Sequence, residues 1–301
     1  MTWFKHFEAH TYQVNGAEIF VRHGGDRNKP ALLLLHGFPQ SHVMWHRAAQ
    51  ALFKDYFLVM PDLRGYGDSS KPVAQTDHVQ ASKRVMAQDM VQVMDALGID
   101  KFFLCGHDRG GRVAHRLALD YPEKVHKLCV IDIAPTLDMY NATDMVFASA
   151  YYHWFHLIQP APLPETMISA AWKPYLHAKL GGWGSAGLAY IEPEALADYE
   201  RHFAQPETVH SMCEDYRASS GIDLEHDRAS RAAGQKIACD TLVLWGQRGG
   251  VQRMFKPMEL WQAQCAGQVS GHALPAGHFI PEEVTQNTTD ALRSFFFTPA
   301  A

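Results

Sequence analysis

The chain has 301 residues, 47% hydrophobic and 20% charged, with a formal net charge of −5. That length suits one large α/β domain carrying an insertion, or two domains, and the absence of any basic tract or like-charge block argues against nucleic acid and anionic membranes as partners. The first residues lack the pattern of a signal peptide, no apolar run reaches the roughly 20 residues of a membrane span, and the five odd, widely spaced cysteines (Cys105, Cys129, Cys213, Cys239, Cys265) read as reduced thiols of a cytoplasmic protein.

Residues 7–14 and 17–22 alternate in polarity around Asn15-Gly16, which predicts a hairpin. Ala31 to Leu35 is an unbroken apolar run, the mark of a strand covered on both faces, and it ends in His36-Gly37-Phe38-Pro39. A helix is predicted over 41–53. His42 and His46 fall four apart on it, but no third ligand accompanies them, so no metal site is expected. Tyr56 to Met60 reads as the next strand, followed by the loop Pro61-Asp62-Leu63-Arg64-Gly65-Tyr66-Gly67-Asp68-Ser69. Helical spacing over 81–97 stops at Gly98.

The run Phe102 to Cys105 then ends in Gly106-His107-Asp108-Arg109-Gly110, and a helix-like stretch continues to Tyr121. This is a strand–elbow–helix turn of the form G-x-nucleophile-x-G, with Asp where many such turns carry Ser. Further strands are predicted over 128–133 and 241–246, a Gly277-His278-Phe279 loop comes next, and a last helix covers about 282–297. Strands alternating with helices imply an α/β fold with a mostly parallel, doubly wound sheet. Residues 139–217 break the rhythm: they are rich in Trp, Tyr, His and Pro and contain no buried-strand run. They read as an α-helical cap domain inserted between two halves of the core, 1–138 and 218–301.

The elbow should lift Asp108 into the open above the sheet, at the start of a helix. Asp108 is the candidate nucleophile and His278 the candidate base. The loop after the 241–246 strand, Gly246-Gln247-Arg248-Gly249-Gly250, holds no carboxylate, so Asp132 at the end of the preceding strand is the candidate group that orients the histidine. The residue type selects the reaction. Serine attacking a saturated carbon would leave a stable ether; a carboxylate leaves an ester, which water activated by His278 can cleave at the Asp108 carbonyl. The backbone amides of Phe38 and Arg109 are the natural oxyanion donors. Arg109 and Arg112, three apart in the first helical turn, share a side and flank the nucleophile. Cations at the positive end of a helix are unfavourable, and an anionic substrate would offset that cost, with paired guanidiniums suiting a carboxylate.

These residues, with His153-Trp154, Gln159-Pro160-Ala161-Pro162, Gly182-Trp183-Gly184 and Asp215-Tyr216-Arg217-Ala218, resemble the haloacetate dehalogenase group of the α/β-hydrolases, the fluoroacetate dehalogenases in particular, over nearly the whole chain. The resemblance implies that Asp108 displaces halide from a haloacetate, that Arg109 and Arg112 hold its carboxylate, and that His153, Trp154 and Tyr216 donate hydrogen bonds to the departing halide. It also implies Trp183 at the pocket entrance, a small haloacid as the only ligand, no cofactor, and a homodimer. Read alone, His153-Trp154 within Ala150 to Phe155 would be aromatic core. Residues 246–253 and 262–272 depart from the family pattern. Two alternatives remain at this stage: an epoxide hydrolase with the same Asp-His-Asp logic, for which Tyr151, Tyr152 and Tyr216 would be the acids, and a hydrolase-fold receptor without turnover.

Overall fold

The computed structural model describes residues 2–73 and 75–297. Its chain opens with the hairpin β1 (Glu8–Val14) and β2 (Ala17–Gly24). Asn15 and Gly16 both take positive φ, 46° and 73°, as the tight turn between twisted strands requires. The strands β3 (Ala31–Leu35), β4 (Phe57–Pro61), β5 (Phe102–His107), β6 (Val125–Ile131), β7 (Asp240–Gly246) and β8 (Val269–Leu274) complete an eight-stranded sheet of order β1-β2-β4-β3-β5-β6-β7-β8. The β1–β2 and β2–β4 pairings are antiparallel and the rest parallel.

β3 and β4 are buried along their whole length, because the helices α1 (His46–Leu52), α2 (Lys83–Ala96), α3 (Arg109–Asp120) and others cover both faces of the sheet. α2 is capped at its start by the Ser82 hydroxyl, which accepts from the Val85 amide, and Gly98 beyond its end sits at φ 74°. His42 and His46 are engaged separately: His42 Nδ1 lies 2.9 Å from Asp62 Oδ1, and His46 Nδ1 lies 2.9 Å from the Val43 carbonyl.

Between β6 and β7 the chain is helical: α4 (Thr136–Asn141), α5 (Met145–Ala150), α6 (Tyr152–Leu157), α7 (Leu163–Ala170), α8 (Trp172–Leu180), α9 (Pro193–Phe203), α10 (Pro206–Ser220) and α11 (Ile222–Ala232). Proline stands in the first turn of α7, α9 and α10, where its missing N–H costs nothing. The limits drawn from sequence at 138/139 and 217/218 fall inside α4 and α10.

Two elements differ from the sequence reading. β8, reading Val-Ser-Gly-His-Ala-Leu, has no apolar run because it is the sheet's edge and stays half-solvated. The last helix is broken at Val284 (φ −138°, ψ 57°) into α14 (Ile280–Glu283) and α15 (Thr285–Phe296), after α12 (Gly250–Met254) and α13 (Pro257–Gln264). Ending α14 there lets Glu283 turn back, its carboxylate accepting from the Gly277 and Phe279 amides at 2.8 and 3.0 Å. That clasp fixes the loop that carries His278. Among the described residues no helix is long and apolar enough to cross a membrane.

Candidate active site

Asp108 joins the end of β5 to the start of α3 with φ 47° and ψ −116°, a conformation that costs a non-glycine residue roughly 1–3 kcal/mol and survives only where surroundings impose it. Here they do. A Cβ on Gly37 would stand 2.5 Å from that of Asp108, and one on Gly110 would run into the backbone of Leu35 and His36, so only glycine lets these segments close on the elbow. The sequence reading placed Asp108 in the open. It is instead 8% exposed, because the helices between β6 and β7 lie over it.

The residues nominated from sequence as a triad are brought together. Asp108 Oδ1 accepts from the Phe38 amide at 2.9 Å, and its Oδ2 lies 3.9 Å from His278 Nε2. His278 Nδ1 is 2.6 Å from Asp132 Oδ2, while Asp132 Oδ1 accepts from the Gly246 amide at 2.9 Å. The loop after β7 thus supplies a backbone donor to the acid rather than the acid itself. With Nδ1–H committed to Asp132, Nε2 is the ring nitrogen turned toward Asp108, and it has no hydrogen-bond partner among the described residues. The Arg109 amide makes no bond to the Asp108 carboxylate, so of the two oxyanion donors expected from sequence only Phe38 touches it.

Electrostatics set the protonation states. Burial alone would raise the Asp108 carboxyl, but the nearby His278, His107, Arg109 and Arg112 outweigh it and hold the group below its ordinary value, ionised. Burial likewise pulls His278 down, yet the hydrogen bond and charge of Asp132 and the charge of Asp108 raise it above the ordinary histidine value. His107, the variable residue in the elbow motif, is pushed down to about 3, chiefly by burial, and is therefore neutral; its Nε2–H donates to the His278 carbonyl at 2.8 Å.

The two arginines are not equivalent. Arg109 makes a bidentate pair with Asp215, Nε to Oδ2 at 2.9 Å and Nη2 to Oδ1 at 2.5 Å, and also donates to Ser219. Asp215 takes further bonds from Lys83 and from the Tyr66 hydroxyl, the latter at 2.6 Å. Arg109 is thus neutralised, and only Nη1 is left buried without a partner. Arg112 touches no carboxylate: Nη1 donates to the Ala134 carbonyl at 3.2 Å and to Thr136 Oγ1 at 2.8 Å, Nη2 faces Met139 Sδ, and Nε is buried and unpaired. Burial first, and then the charge of Arg109, lower its pKa, yet a guanidinium remains protonated. A buried cation without a counter-ion is costly. Asp108 faces it, and an anionic ligand would complete the balance.

The guanidiniums also organise the aromatic residues above them. Arg109 lies 4.2 Å from the ring centre of Tyr216, on α10, and Arg112 lies 4.7 Å from that of Trp154, on α6. Both rings are buried, and neither the Tyr216 hydroxyl nor Trp154 Nε1 donates to another of the described residues. His153 stacks near-parallel on Phe38 with ring centres 6.0 Å apart, and its Nδ1 is also unpaired. Burial foremost, and then Lys179 and His278, keep it neutral. Trp183 is half-buried, 4.7 Å from His153 and 5.2 Å from His278 between ring centres. Ring contacts thus join Phe38, His153, Trp154, Trp183, Tyr216 and His278 into one connected group beside Asp108.

The sequence and the fold match known proteins. Residues 30–284 match the family model for the α/β hydrolase fold. A fluoroacetate dehalogenase from a Burkholderia species is 42% identical, with 97% of this chain and 94% of that one covered. The chain belongs to the α/β-hydrolase family. A soluble epoxide hydrolase of Corynebacterium strain C12 is 32% identical over 88% of this chain and 89% of that one. Among solved structures, an α/β hydrolase of Nostoc sp PCC 7120 superposes with a TM-score of 0.94 at 49% identity, covering 98% of this chain and 99% of the other.

In this α/β-hydrolase the sequence reading missed three supports of the site. Asp215, which neutralises Arg109 from 106 positions away, lay in a quoted motif but carried no local signal of pairing. Lys83, at the start of α2, and Glu283, behind the His278 loop, read only as helix-terminal charges. The long-range ion pairs of Asp215 leave no periodicity in a sequence, and the Glu283 clasp depends on the break at Val284, which the sequence did not show.

Proposed function

We propose that this α/β-hydrolase is a hydrolytic dehalogenase of haloacetates, converting fluoroacetate and water to glycolate, fluoride and a proton. The observation that carries the reading is the buried, uncompensated Arg112 beside an ionised Asp108. A neutral epoxide would leave Arg112 without that second anion, whereas a haloacetate carboxylate supplies one. Arg112 Nε and Arg109 Nη1, the unpaired donors, are the groups that would hold it.

In the first step an Asp108 oxygen attacks the α-carbon from behind the carbon–halogen bond, which breaks with its electron pair on the halide. His153, Trp154 and Tyr216 supply neutral donors around that leaving group, and burial strengthens each bond because water does not compete. The Asp108 charge is consumed in the ester. Its upward influence on His278 then disappears, which lowers the histidine's pKa and leaves Nε2 as a free base at the moment it is needed. His278 takes a proton from water, the hydroxide oxygen attacks the Asp108 carbonyl carbon, and the oxyanion gathers the Phe38 and Arg109 amides. Collapse breaks the ester bond to the glycolate oxygen, which takes back the proton from His278, and the Asp108 carboxyl then releases the proton of the overall equation to restore the carboxylate. We read the helices over residues 139–217 as the cap that excludes bulk water during these steps.

The test is halide release, measured with an ion-selective electrode, from fluoroacetate and chloroacetate, with styrene oxide as the uncharged comparison. Halide should appear from both acids with little diol from the epoxide. Diol formation without halide would give the site to epoxide hydrolysis.

A further inference from the structure

Lys179, on α8, is buried at 4% exposure, yet its ammonium has neither a carboxylate nor a hydrogen-bond acceptor among the described residues. It is held by rings: Nζ lies 3.8 Å from the centre of Tyr152, 5.2 Å from Tyr175 and 5.4 Å from Trp183. Such a cage fixes a cation without cancelling its charge, which therefore acts at long range through a poorly polarisable medium. Burial alone pulls its pKa down, to about 8; no acidic group counters that.

Unpaired polar atoms collect around it. The Tyr175 hydroxyl and both ring nitrogens of His156 are buried without partners, with the two rings 6.3 Å apart, His153 Nδ1 is unpaired as well, and the Lys179 charge acts on both histidines. Trp183 links this group to the chemistry, since its ring borders Lys179, His153 and His278 at once. At the other end Tyr152 is 48% exposed. A line of contacts thus runs from the triad, through Trp183 and Lys179, to the surface.

We propose that Lys179, with the Tyr175 hydroxyl and His156, forms a second anion station between the active site and solvent, taking a small monovalent anion: the haloacid carboxylate on its way in or the halide on its way out. The inference rests on the dehalogenase reading for the identity of those anions, but not for the existence of the station. A cation placed there raises the local concentration of anions and their rate of capture, and it gives a halide leaving His153 a next partner before bulk water.

The experiment compares wild type with Lys179→Met, which keeps the stem and removes the charge, and Lys179→Arg, which keeps the charge over the rings. Lys179→Gln repeats the neutral arm should the methionine variant not fold. One arm measures kcat/KM for chloroacetate against ionic strength. The other titrates bromide, following tryptophan fluorescence and inhibition. The neutral variants should lose about tenfold in kcat/KM with a flattened salt dependence, bind bromide about tenfold more weakly, and regain both in Lys179→Arg. A change confined to the chloroacetate arm identifies an entry port, and one confined to bromide an exit port; either supports the station. Unchanged values in both arms, or an arginine variant as impaired as the neutral ones, overturn it. A wild-type enzyme that releases no halide from haloacetates removes the dehalogenase reading, while the bromide titration still decides the station.

Discussion

The floor and the roof of the active site are built on opposite principles. On the floor, at the carboxyl ends of β5, β6 and β7, most polar groups are committed: Asp132 to His278 and Gly246, His107 to the His278 carbonyl, Asp108 to Phe38, and the His278 loop to Glu283, with His278 Nε2 and His107 Nδ1 the buried exceptions. In the roof, His153 Nδ1, the Tyr175 hydroxyl and the His156 nitrogens are buried and unpaired, as are the inward-facing atoms of the two arginines just below. Each unmet group of this kind costs roughly 1–3 kcal/mol. The difference teaches where binding happens. The floor is held in place before a ligand arrives, with His278 Nε2 left open beside Asp108; the roof and the arginines hold more polar atoms that the protein itself leaves unpaired.

The sharpest way to break that comparison is to take one committed group from the floor. His278→Ala removes the base of the second step and leaves the nucleophile, Phe38 and the arginines in place. Steady-state turnover of chloroacetate should fall by about 10³-fold or more, while one equivalent of halide still appears in a burst and mass spectrometry finds Asp108 esterified. An unmodified Asp108 peptide after incubation would take His278 out of the hydrolytic step and place it in the first one.

The arginines sharpen the comparison, since they differ in commitment. Arg112→Leu should raise KM and lower kcat/KM for chloroacetate by about 10- to 100-fold, since a charge-assisted hydrogen bond contributes roughly 1.5–3 kcal/mol. The melting temperature should hold, because the lost cation had no buried counter-ion. Arg109→Leu should do the reverse in stability: it strips Asp215 of a bidentate partner, a loss of about 3–5 kcal/mol for a buried pair. Equal melting temperatures for the two variants would mean that Arg109 and Arg112 are the symmetric pair their spacing suggests.

That spacing shows what the sequence could and could not carry. The sheet was legible because burial on both faces writes unbroken apolar runs such as Ala31–Leu35, and the elbow because strained turns demand glycine at fixed positions. β8 was not, since an edge strand needs no such run. The positions of Asp108, His278 and Asp132 followed from strand ends and loop order. The proposed halide donors His153, Trp154 and Tyr216 did not, because at the level of pattern a buried indole or phenol that binds a ligand is the same as one that packs; resemblance alone singled them out. The neutralising Asp215 lies 106 positions from Arg109, and the burial of Asp108 depends on separate helices further along the chain, so no local signal reports either.

The smallest expected effect concerns the seam where floor meets roof. Glu282, on α14, is 2% exposed; its carboxyl accepts from the Tyr199 hydroxyl of α9 at 3.0 Å and from the Gln40 amide, and its pKa is pushed up to about 8, foremost by burial. In the unfolded chain the same carboxyl titrates near 4.5. Between those values the folded state holds a proton that the unfolded state has released, so stability declines as pH rises from about 4.5 and levels off above about 8. Glu282→Gln keeps the shape and removes the titration. Its melting temperature should track that of wild type near pH 5 and exceed it by a few degrees near pH 9, with the contributions of all other groups cancelling in the difference. A constant difference across that range would mean that Glu282 is already ionised in the folded protein, and that the seam, like the floor, is held by a charge it can accommodate.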